Sequence, residues 1–430
     1  MVVYSVLIAY GVIVLIAALL YIPKYAQICG TLKRPSRKVA TAKRKISLVI
    51  PARNESKAIV DLFDSILTQD YDKDYFDINV IVKDENDPTI EMAKKINANY
   101  FVVPEQKCKG DALDGYFKSL SPEQMKSYDA FVIIDADAVL TPNYVTELNN
   151  ALEYDRQIFV TRKYIKNYLH GKKCRSLTCN CAALVYPVLD EVGNMYRARK
   201  KIPLNYCGQG LMLRREVIEQ LDGWPYRSLT EDYELKMDSL LRDFTSLYYP
   251  YAIIYTEEVV KHRDSYERRL RWVTGYSQCD KRYMKDVKAK IKNEKGSAAL
   301  KFDFLHYKFP VFLFLMITVL TVLTGVGLAV FYALLDSEQL WHNALIYLVG
   351  LPSVLLYLVL FVYGLILMLS YLDALTALSG WEKFLTLLVM PFFLLEFVPL
   401  YVQSRFRAKK PQKDWRQSNR IDYSKLDGKK

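Results

Sequence analysis

Two aspartates, Asp135 and Asp137, directly follow an apolar run at positions 131–134. Such a run predicts a buried strand, so the two carboxylates lie where that strand leaves its sheet. Carboxylates at positions i and i+2 can share a divalent cation, and open α/β sheets bind ligands at the carboxyl ends of their strands. Oxygen ligands suit hard cations and no histidine or cysteine lies nearby in sequence. The pair therefore predicts a site for Mg²⁺ or Mn²⁺.

A second set of charged residues lies further along the chain. Glu231 and Asp232 form an acidic pair, and a positioned carboxylate can accept the proton of a reacting hydroxyl group. Arg268, Arg271 and Trp272 share one face if their segment is helical. Two guanidinium groups can bind a phosphate, and the indole offers a flat surface for a ring such as a sugar. The alternative for the arginines is basic anchoring beside a membrane.

Polar loops follow the first two predicted strands, 46–50 and 76–82. Asp84 closes the second strand, and the loop after the first consists of Pro51, Ala52, Arg53, Asn54 and Glu55. Taken singly, Asn54 is typical of a helix cap and Asp84 of a turn. Because both follow strands of one sheet, we expect them at the same ligand-binding edge.

Two glycine-containing segments complete the candidate residues. Lys109 and Gly110 precede a helical stretch, where a lysine charge and a close backbone approach suit a phosphate. A solvated helix start is the alternative. The other segment contains Cys207, Gly208, Gln209 and Gly210, and its two glycines would let a ligand lie against the backbone. A plain turn before a strand is the alternative.

The elements that must position these residues alternate between strand and helix over positions 46–266. Positions 56–67 have the apolar spacing of a helix. The further strands are expected at 99–103, 131–134, 158–163, 210–213 and 252–255. Strands separated by helical stretches predict a mostly parallel sheet that is covered on both faces.

Apolar segments of membrane length lie at both ends of the chain. Positions 2–21, 310–334 and 344–372 each predict a membrane span, and 2–21 reads as a retained anchor. The eight basic and no acidic residues at positions 24–45 predict a cytoplasmic central domain. A third late segment, 384–402, contains Glu396 and two prolines, so we expect it at the interface or re-entrant, which leaves the basic tail with Trp415 cytoplasmic. A third full crossing is the alternative.

The formal net charge of +12 is concentrated beside these apolar segments, which favours membrane lipid headgroups over nucleic acid as the partner. The seven cysteines are scattered. His170, Cys174, Cys179 and Cys181 lack a paired CxxC spacing, so an apolar helix is a better interpretation of this stretch than a zinc site.

In order along the chain, the motifs Asp-Ala-Asp (135–137), Thr-Glu-Asp (230–232) and RxxRW (268–272) lie between membrane segments. This series resembles the membrane-embedded family-2 glycosyltransferases, which include cellulose, chitin and hyaluronan synthases. The resemblance implies an α/β GT-A domain inserted between transmembrane helices. The domains would be an anchor (1–23), a basic cytoplasmic linker (24–45), the GT-A catalytic domain (46–265), an RxxRW interfacial helix region (266–305), membrane helices (306–403) and a basic cytoplasmic tail (404–430).

The resemblance also implies residue roles. Asp232, with Glu231 beside it, would be the catalytic base, and Asp137 would hold Mg²⁺ or Mn²⁺. The loop 51–55 and Asp84 would bind uridine, with Asp135 oriented toward the nucleotide. Cys207, Gly208 and Gln209 would line the acceptor pocket, and Trp272 would position the acceptor. Lys109, Arg268 and Arg271 would neutralise the diphosphate.

The function implied is inverting, processive transfer of a hexose, with glucose favoured, from a UDP-sugar to a growing β-glucan that is exported. The protein would be a multi-pass protein of a bacterial cell membrane, with no obligatory protein partner evident. The alternatives are a polymer synthase for N-acetylglucosamine-containing glycans, a non-processive transferase that adds one sugar to a lipid or oligosaccharide, and an inactive membrane subunit. A nucleotide-sugar pyrophosphorylase would need a GxGxR loop that positions 51–54 do not contain.

The chain departs from the family pattern at several points. Arg268 stands where the RxxRW motif usually begins with glutamine, and Asp114 replaces the last alanine of a K-G-x-A-x-A segment. The FxVTxKG gating motif and a PilZ-like extension are missing from this sequence, so neither gating of that kind nor cyclic-dinucleotide control carries over.

Overall fold

The computed structural model describes residues 34–293, 298–301 and 351–408, together with Ser5, Asp303 and Val330. The chain forms two compact units. One comprises Lys33–Gly296 with Gln403–Lys430, and the other comprises Met1–Leu32 with Ser297–Val402. The predicted spans at 2–21 and 310–334, and the tail with Trp415, lie outside the described residues.

The first unit is built on one eight-stranded sheet in the order β3-β2-β1-β4-β7-β6-β8-β5. The strands are β1 (Ile46–Pro51), β2 (Phe76–Val82), β3 (Asn99–Val102), β4 (Ala130–Ile133), β5 (Val139–Leu140), β6 (Ile158–Ile165), β7 (Leu211–Arg214) and β8 (Ser246–Thr256). All seven strands expected from sequence are present, most of them within one or two residues of their predicted bounds. The two-residue β5 carries too little pattern to be predicted.

The sheet is parallel in one half and mixed in the other. Strands β1 to β4 pair in parallel, with Ile46 beside both Phe76 and Ala130. Strand β7 then runs antiparallel to both β4 and β6, and β5 antiparallel to β8. The expectation of a mostly parallel sheet therefore describes the half that carries the first motifs, and the second half departs from it.

Helices cover both faces of the sheet. Those of the first unit are α1 (Ile59–Leu67), α2 (Thr89–Lys95), α3 (Lys109–Ser119), α4 (Pro122–Ser127), α5 (Tyr144–Ala151), α6 (Leu177–Lys200), α7 (Arg215–Leu221), α8 (Glu231–Arg242) and α9 (His262–Asn293). Consecutive residues of β1 pack on opposite faces of the sheet. Leu48 packs in the cluster that contains Phe63 of α1, and Val49 packs in the cluster that contains Tyr116 of α3. This alternation follows from the period of two in a strand.

In the second unit, α10 (Leu351–Ser370) and α11 (Gly380–Leu395) are bridged by a hydrogen bond from the Tyr357 hydroxyl to the Leu388 carbonyl (2.9 Å). Helix α12 (Phe397–Arg407) follows. Among the described residues, one helical stretch, Gly380–Arg407, is long and apolar enough to cross a bilayer. A core helix of a soluble protein can meet the same criterion, so this stretch alone does not establish a multi-pass membrane protein.

Candidate active site

The polar loops after β1, β2 and β4 meet at one edge because these strands are parallel and in register. Ala52 donates its N–H to the Ile81 carbonyl (2.8 Å), and Ile134 donates to the Val49 carbonyl (3.0 Å). The chain therefore leaves all three strands at the same level. This places the 51–55 loop, Asp84 and the Asp135–Asp137 segment at the carboxyl edge of the sheet, as the sequence predicts.

The 51–55 loop is held by groups that the sequence argument did not select. Asn54 adopts a left-handed conformation with φ of 56° and donates its N–H to the buried Asp87 carboxylate (2.8 Å). Glu55 is buried and donates its N–H to the Thr89 hydroxyl (3.1 Å). Asp87 and Thr89 open α2, and the Asp-x-Thr spacing before a helix was the available signal.

Asp84 is exposed, and one of its carboxylate oxygens accepts the Asn86 N–H (3.0 Å). This contact agrees with the alternative interpretation of Asp84 as a turn residue. Because Asp84 is exposed, a ligand can also reach its side chain. The geometry therefore agrees with Asp84 both as a turn residue and as a residue that binds a ligand.

Lys109 brings the central motifs together. Its ammonium lies 2.6 Å from Asp135 and 3.6 Å from Glu231, and it donates to the Gly208 carbonyl (2.6 Å). The Gly208 N–H in turn donates to Asp232 (2.8 Å). These residues come from α3, the segment after β4, the loop before β7 and the start of α8. A cluster of this kind, assembled from four distant segments, is typical of a reaction site rather than of a fold-stabilising ion pair.

Burial and neighbouring charges shift the protonation of this cluster. Burial raises the pKa of Glu231 to about 7, with Asp232 adding to the effect and Lys109 opposing it. Burial also raises the pKa of Asp232, whereas the Tyr233 and Gly208 amides and the charges of Lys109 and Lys163 lower it. Burial alone would lower the pKa of Lys109, but Asp135 and Glu231 raise it, so the lysine remains charged.

The acidic pair occupies the first turn of α8, where the helix dipole favours negative charge. Asp232 also accepts the Tyr233 N–H (2.7 Å). One oxygen of Asp232 is thus fixed by Tyr233 and the other by Gly208. A carboxylate that is held in this way has a defined direction in which to accept a proton.

Asp137 is buried, with 7 % of its surface exposed. Within the described residues, no three His, Cys, Asp or Glu side chains are grouped closely enough to hold a metal by themselves. A cation at Asp137 would need oxygen ligands from a bound substrate. Mg²⁺ sites at phosphates are built in this way, from one or two carboxylates plus phosphate oxygens. The donor set therefore fits a hard divalent ion that arrives with a diphosphate.

A second, half-buried lysine supports the Cys207–Gln209 segment. Lys163, at the end of β6, lies 2.9 Å from Asp190 of α6 and hydrogen-bonds Cys207. Burial first, and then Asp190, raise the pKa of the Cys207 thiol to about 12. Sequence reasoning missed Lys163 and Asp190. A charged residue within a predicted strand, which needs a buried partner, was the available signal.

At the glycines of this segment, side chains from other parts of the protein fill the space that a Cβ atom would need. A Cβ at Gly208 would lie 2.9 Å from the Lys109 ammonium and 3.0 Å from a Glu231 oxygen. Gly210, with φ of +67°, would place a Cβ 2.2 Å from the Thr161 hydroxyl. In the part of the chain that the structure describes, Nε2 of Gln209 is buried without a hydrogen-bond partner. Gln209 therefore offers a donor to a ligand in the pocket.

The RxxRW residues lie on α9. The Arg268 guanidinium is 3.4 Å from Glu258 and covers the Trp272 ring at 4.8 Å. Tyr186 contacts the same ring edge-on, at a centroid distance of 5.0 Å. Trp272 thus has protein neighbours on the surface that was expected to face a sugar, and Arg268 has a carboxylate partner. Arg271 is half-buried. Their roles toward a diphosphate and an acceptor stay predictions.

Comparisons with known proteins identify the family and the fold of the chain. Residues 130–398 match the family model described as Glycosyl transferase family group 2. The chain is 23 % identical over 279 residues to a probable glycosyltransferase, YdaM, of Bacillus subtilis, and the match covers 63 % of each protein. It is 25 % identical over 259 residues to a probable glycosyltransferase of Sulfolobus acidocaldarius, covering 57 % of this chain and 53 % of that one. The chain therefore spans less than two thirds of the length of these relatives.

The structure also resembles a solved one, the mannosyltransferase PcManGT from Pyrobaculum calidifontis in complex with GDP-Man and Mn²⁺. The TM-score is 0.55 at 18 % identity, and the match covers 82 % of this chain and 98 % of that chain. This likeness confirms the GT-A fold expected from the sequence. The Mn²⁺ of that protein agrees with the Mg²⁺ or Mn²⁺ expected here.

Proposed function

The chain belongs to glycosyl transferase family group 2, and we propose that it transfers a hexose from a nucleotide sugar to an acceptor hydroxyl by a single inverting displacement. One observation carries the proposal. Lys109, Asp135, Glu231 and Asp232 meet at the sheet edge that also bears the 51–55 loop. This combination supplies a base beside a place where a nucleotide diphosphate can bind.

The base is assigned to Asp232. A sugar hydroxyl ionises far above neutral pH, so the carboxylate has to accept the proton while the new bond to the anomeric carbon forms. The Gly208 and Tyr233 N–H groups direct the two oxygens of Asp232. Lys109 and Lys163 favour its ionised form. Glu231 lies 3.6 Å from Lys109 and holds that lysine in place.

The departing nucleotide diphosphate needs positive charge. Arg271 and Arg268 on α9 and the ammonium of Lys109 supply it from the protein. A Mg²⁺ or Mn²⁺ ion held by Asp137 would add Lewis-acid stabilisation of the developing charge on the diphosphate. Asp135, paired with Lys109, orients that lysine toward the nucleotide.

The nucleoside is assigned to the 51–55 loop and Asp84. The exposed Asp84 carboxylate can accept hydrogen bonds from a base or a ribose, and the left-handed Asn54 turns the backbone into the site. We favour uridine and glucose on the family resemblance. The GDP-mannose in the solved mannosyltransferase makes a guanosine donor the alternative to test.

The second candidate is processive synthesis and export of a β-glucan. Helix α9 favours it, because Arg268, Arg271 and Trp272 all lie on that helix, in the pattern of enzymes that elongate glycans. The apolar stretch Gly380–Arg407 and the further apolar segments would place the enzyme in a membrane as a multi-pass protein with a cytoplasmic catalytic unit. One-sugar transfer to a lipid or oligosaccharide uses the same base and differs only in the product.

The test uses the full-length protein, purified in detergent and returned to lipid vesicles. It is offered radiolabelled UDP-glucose, UDP-N-acetylglucosamine and GDP-mannose in turn, with and without Mn²⁺. Metal-dependent transfer from one donor to a lipid or glycan product is expected. Failure to release nucleotide from any donor would contradict the proposal. Digestion with linkage-specific glycanases then separates a polymer from a single addition.

A further inference from the structure

Arg227 joins the helix that carries Lys109 to the helix that carries Asp232. Its guanidinium contacts two carboxylates of α3: Nε lies 2.7 Å from Asp111, and Nη2 lies 2.7 Å from Asp114. Nη1 also donates to the Gly110 carbonyl (3.3 Å). The K-G-x-A-x-A pattern of the family has alanine at the position of Asp114. The ion pair between Arg227 and Asp114 is therefore not part of that pattern.

The segment around Arg227 is pressed closely against the first turn of α3. The second oxygen of Asp114 accepts the N–H of the buried Trp224 (2.9 Å). A Cβ added to Gly110 would lie 1.8 Å from the Tyr226 carbonyl oxygen. Gly110 is therefore needed for backbone contact, and it adjoins Lys109. The 223–230 segment and the lysine cannot move independently.

The same segment is fixed from the other side by Glu234 of α8. One Glu234 oxygen accepts the N–H groups of Arg227 (3.1 Å) and Ser228 (3.0 Å). The other accepts Arg282 (2.6 Å) and the Tyr283 hydroxyl (3.1 Å) of α9. Glu234 is 1 % exposed and lies two residues after Asp232 on the same helix.

We propose that Arg227 is a positioning residue that sets the Lys109 ammonium relative to the Asp232 carboxylate. The proposal rests on the proposed function, since it assigns those two groups to the reaction. Lys109 is the first residue of α3, and Asp232 is the second residue of α8. A planar guanidinium that spans two carboxylates fixes distance and angle together, which a lysine at this position could not do.

The first experiment compares Arg227→Gln and Arg227→Lys with Arg215→Gln. Arg215 forms a partly exposed pair with Glu219 (3.4 Å) within α7, and it serves as the matched control. Arg227→Gln is expected to lower kcat about 30-fold with the donor KM changed less than about threefold, because small misplacements at a reacting centre cost up to about 100-fold. Arg227→Lys should restore part of the loss and Arg215→Gln should have no effect. Unchanged kcat in Arg227→Gln would overturn the proposal.

Asp114→Asn provides a variant that keeps the Trp224 contact while removing the charge. Its loss of kcat should not add to that of Arg227→Gln in the double variant, because both break one link. Additive losses would show that the two residues act separately and would overturn the coupling.

A readout that does not use transfer separates this inference from the proposed function. Reductive methylation of Lys109, followed by mass spectrometry, reports how well that lysine is held, and the exposed Lys73 is the internal reference. Lys109 should be methylated at least about tenfold faster in Arg227→Gln than in the wild type, as its buried pairing loosens. An unchanged rate would overturn the positioning role even if the enzyme transferred no sugar at all.

Discussion

Two half-buried lysines near Asp232, Lys109 and Lys163, form similar ion pairs but lie on different kinds of element. Lys109 pairs with Asp135 at 2.6 Å, and Lys163 pairs with Asp190 at 2.9 Å. In each case burial opposes the charge and the neighbouring carboxylate raises the pKa. Lys109, however, starts a helix within a recognisable motif, whereas Lys163 is a residue of strand β6.

Their contacts separate their roles. Lys109 contacts Asp135, Glu231 and the Gly208 carbonyl, and in the proposed function it neutralises the nucleotide diphosphate. Lys163 contacts Asp190 and Cys207, the residue before Gly208, and so supports the same segment from strand β6. Positive charge near the proposed base is thus supplied once by the first residue of a helix and once by a strand of the sheet.

The largest effect is expected from Lys109→Met. The variant removes the cation shared by Asp135 and Glu231 and a donor beside the departing diphosphate. We expect kcat to fall by about 100- to 1000-fold, as for loss of a charge-stabilising donor in a reaction site, and donor affinity to weaken as well. Steady-state kinetics and nucleotide titration measure both quantities. The exposed neighbour Lys107, changed to Met, is the control. An equal loss of kcat in Lys107→Met and Lys109→Met would contradict a specific role of Lys109.

An intermediate effect is expected from Lys163→Met. The charge of Lys163 lowers the pKa of Asp232, so its removal raises that pKa. A base must be ionised to work and loses activity as the pH falls through its pKa. The acid limb of the kcat profile should therefore move to higher pH, with donor affinity unchanged.

The control for Lys163→Met is Lys166→Met, which removes another buried lysine paired with Asp61 at 2.6 Å. It should leave the profile where it is in the wild type. A weakened donor affinity in Lys163→Met, without a shift of the acid limb, would contradict this prediction. It would mean that Lys163, like Lys109, acts on the nucleotide sugar rather than on the base.

The smallest effect is expected at Cys207. Its thiol pKa of about 12 means that it is protonated at neutral pH. It is thus no nucleophile, and Cys207→Ser should keep activity within about threefold, since serine can retain the hydrogen bond to Lys163. A maleimide at about pH 7 should not label Cys207, because thiolate is the reactive form. Rapid labelling that inactivates the enzyme would contradict this.

Much of this site follows from the sequence because parallel strands carry their loops to a common edge. Strands β1, β2 and β4 are short buried apolar runs, and polar residues at their ends had to converge. Lys109 and Asp232 were found as motif residues. The family resemblance assigned both to one active site, whereas their link through Gly208 is a tertiary contact that the sequence did not predict.

Other features depend on packing between distant elements, for which the sequence holds no local signal. The pair of Lys163 with Asp190 requires α6 to lie against β6. The contact of Arg268 with Glu258 depends on how α9 follows β8, so two residues expected to face substrate have protein partners. Strand β7 has four residues, too few for its pattern to reveal the antiparallel direction.

The most direct test of the account is Asp232→Asn, assayed with the radiolabelled donor that the wild type uses. The change removes proton acceptance and keeps the shape of the side chain. The account predicts that kcat falls by at least about 100-fold, in the range of general-base catalysis, while the affinity for the nucleotide product stays within about threefold of the wild type. Activity above about a tenth of the wild-type value would contradict the assignment of Asp232 as the base.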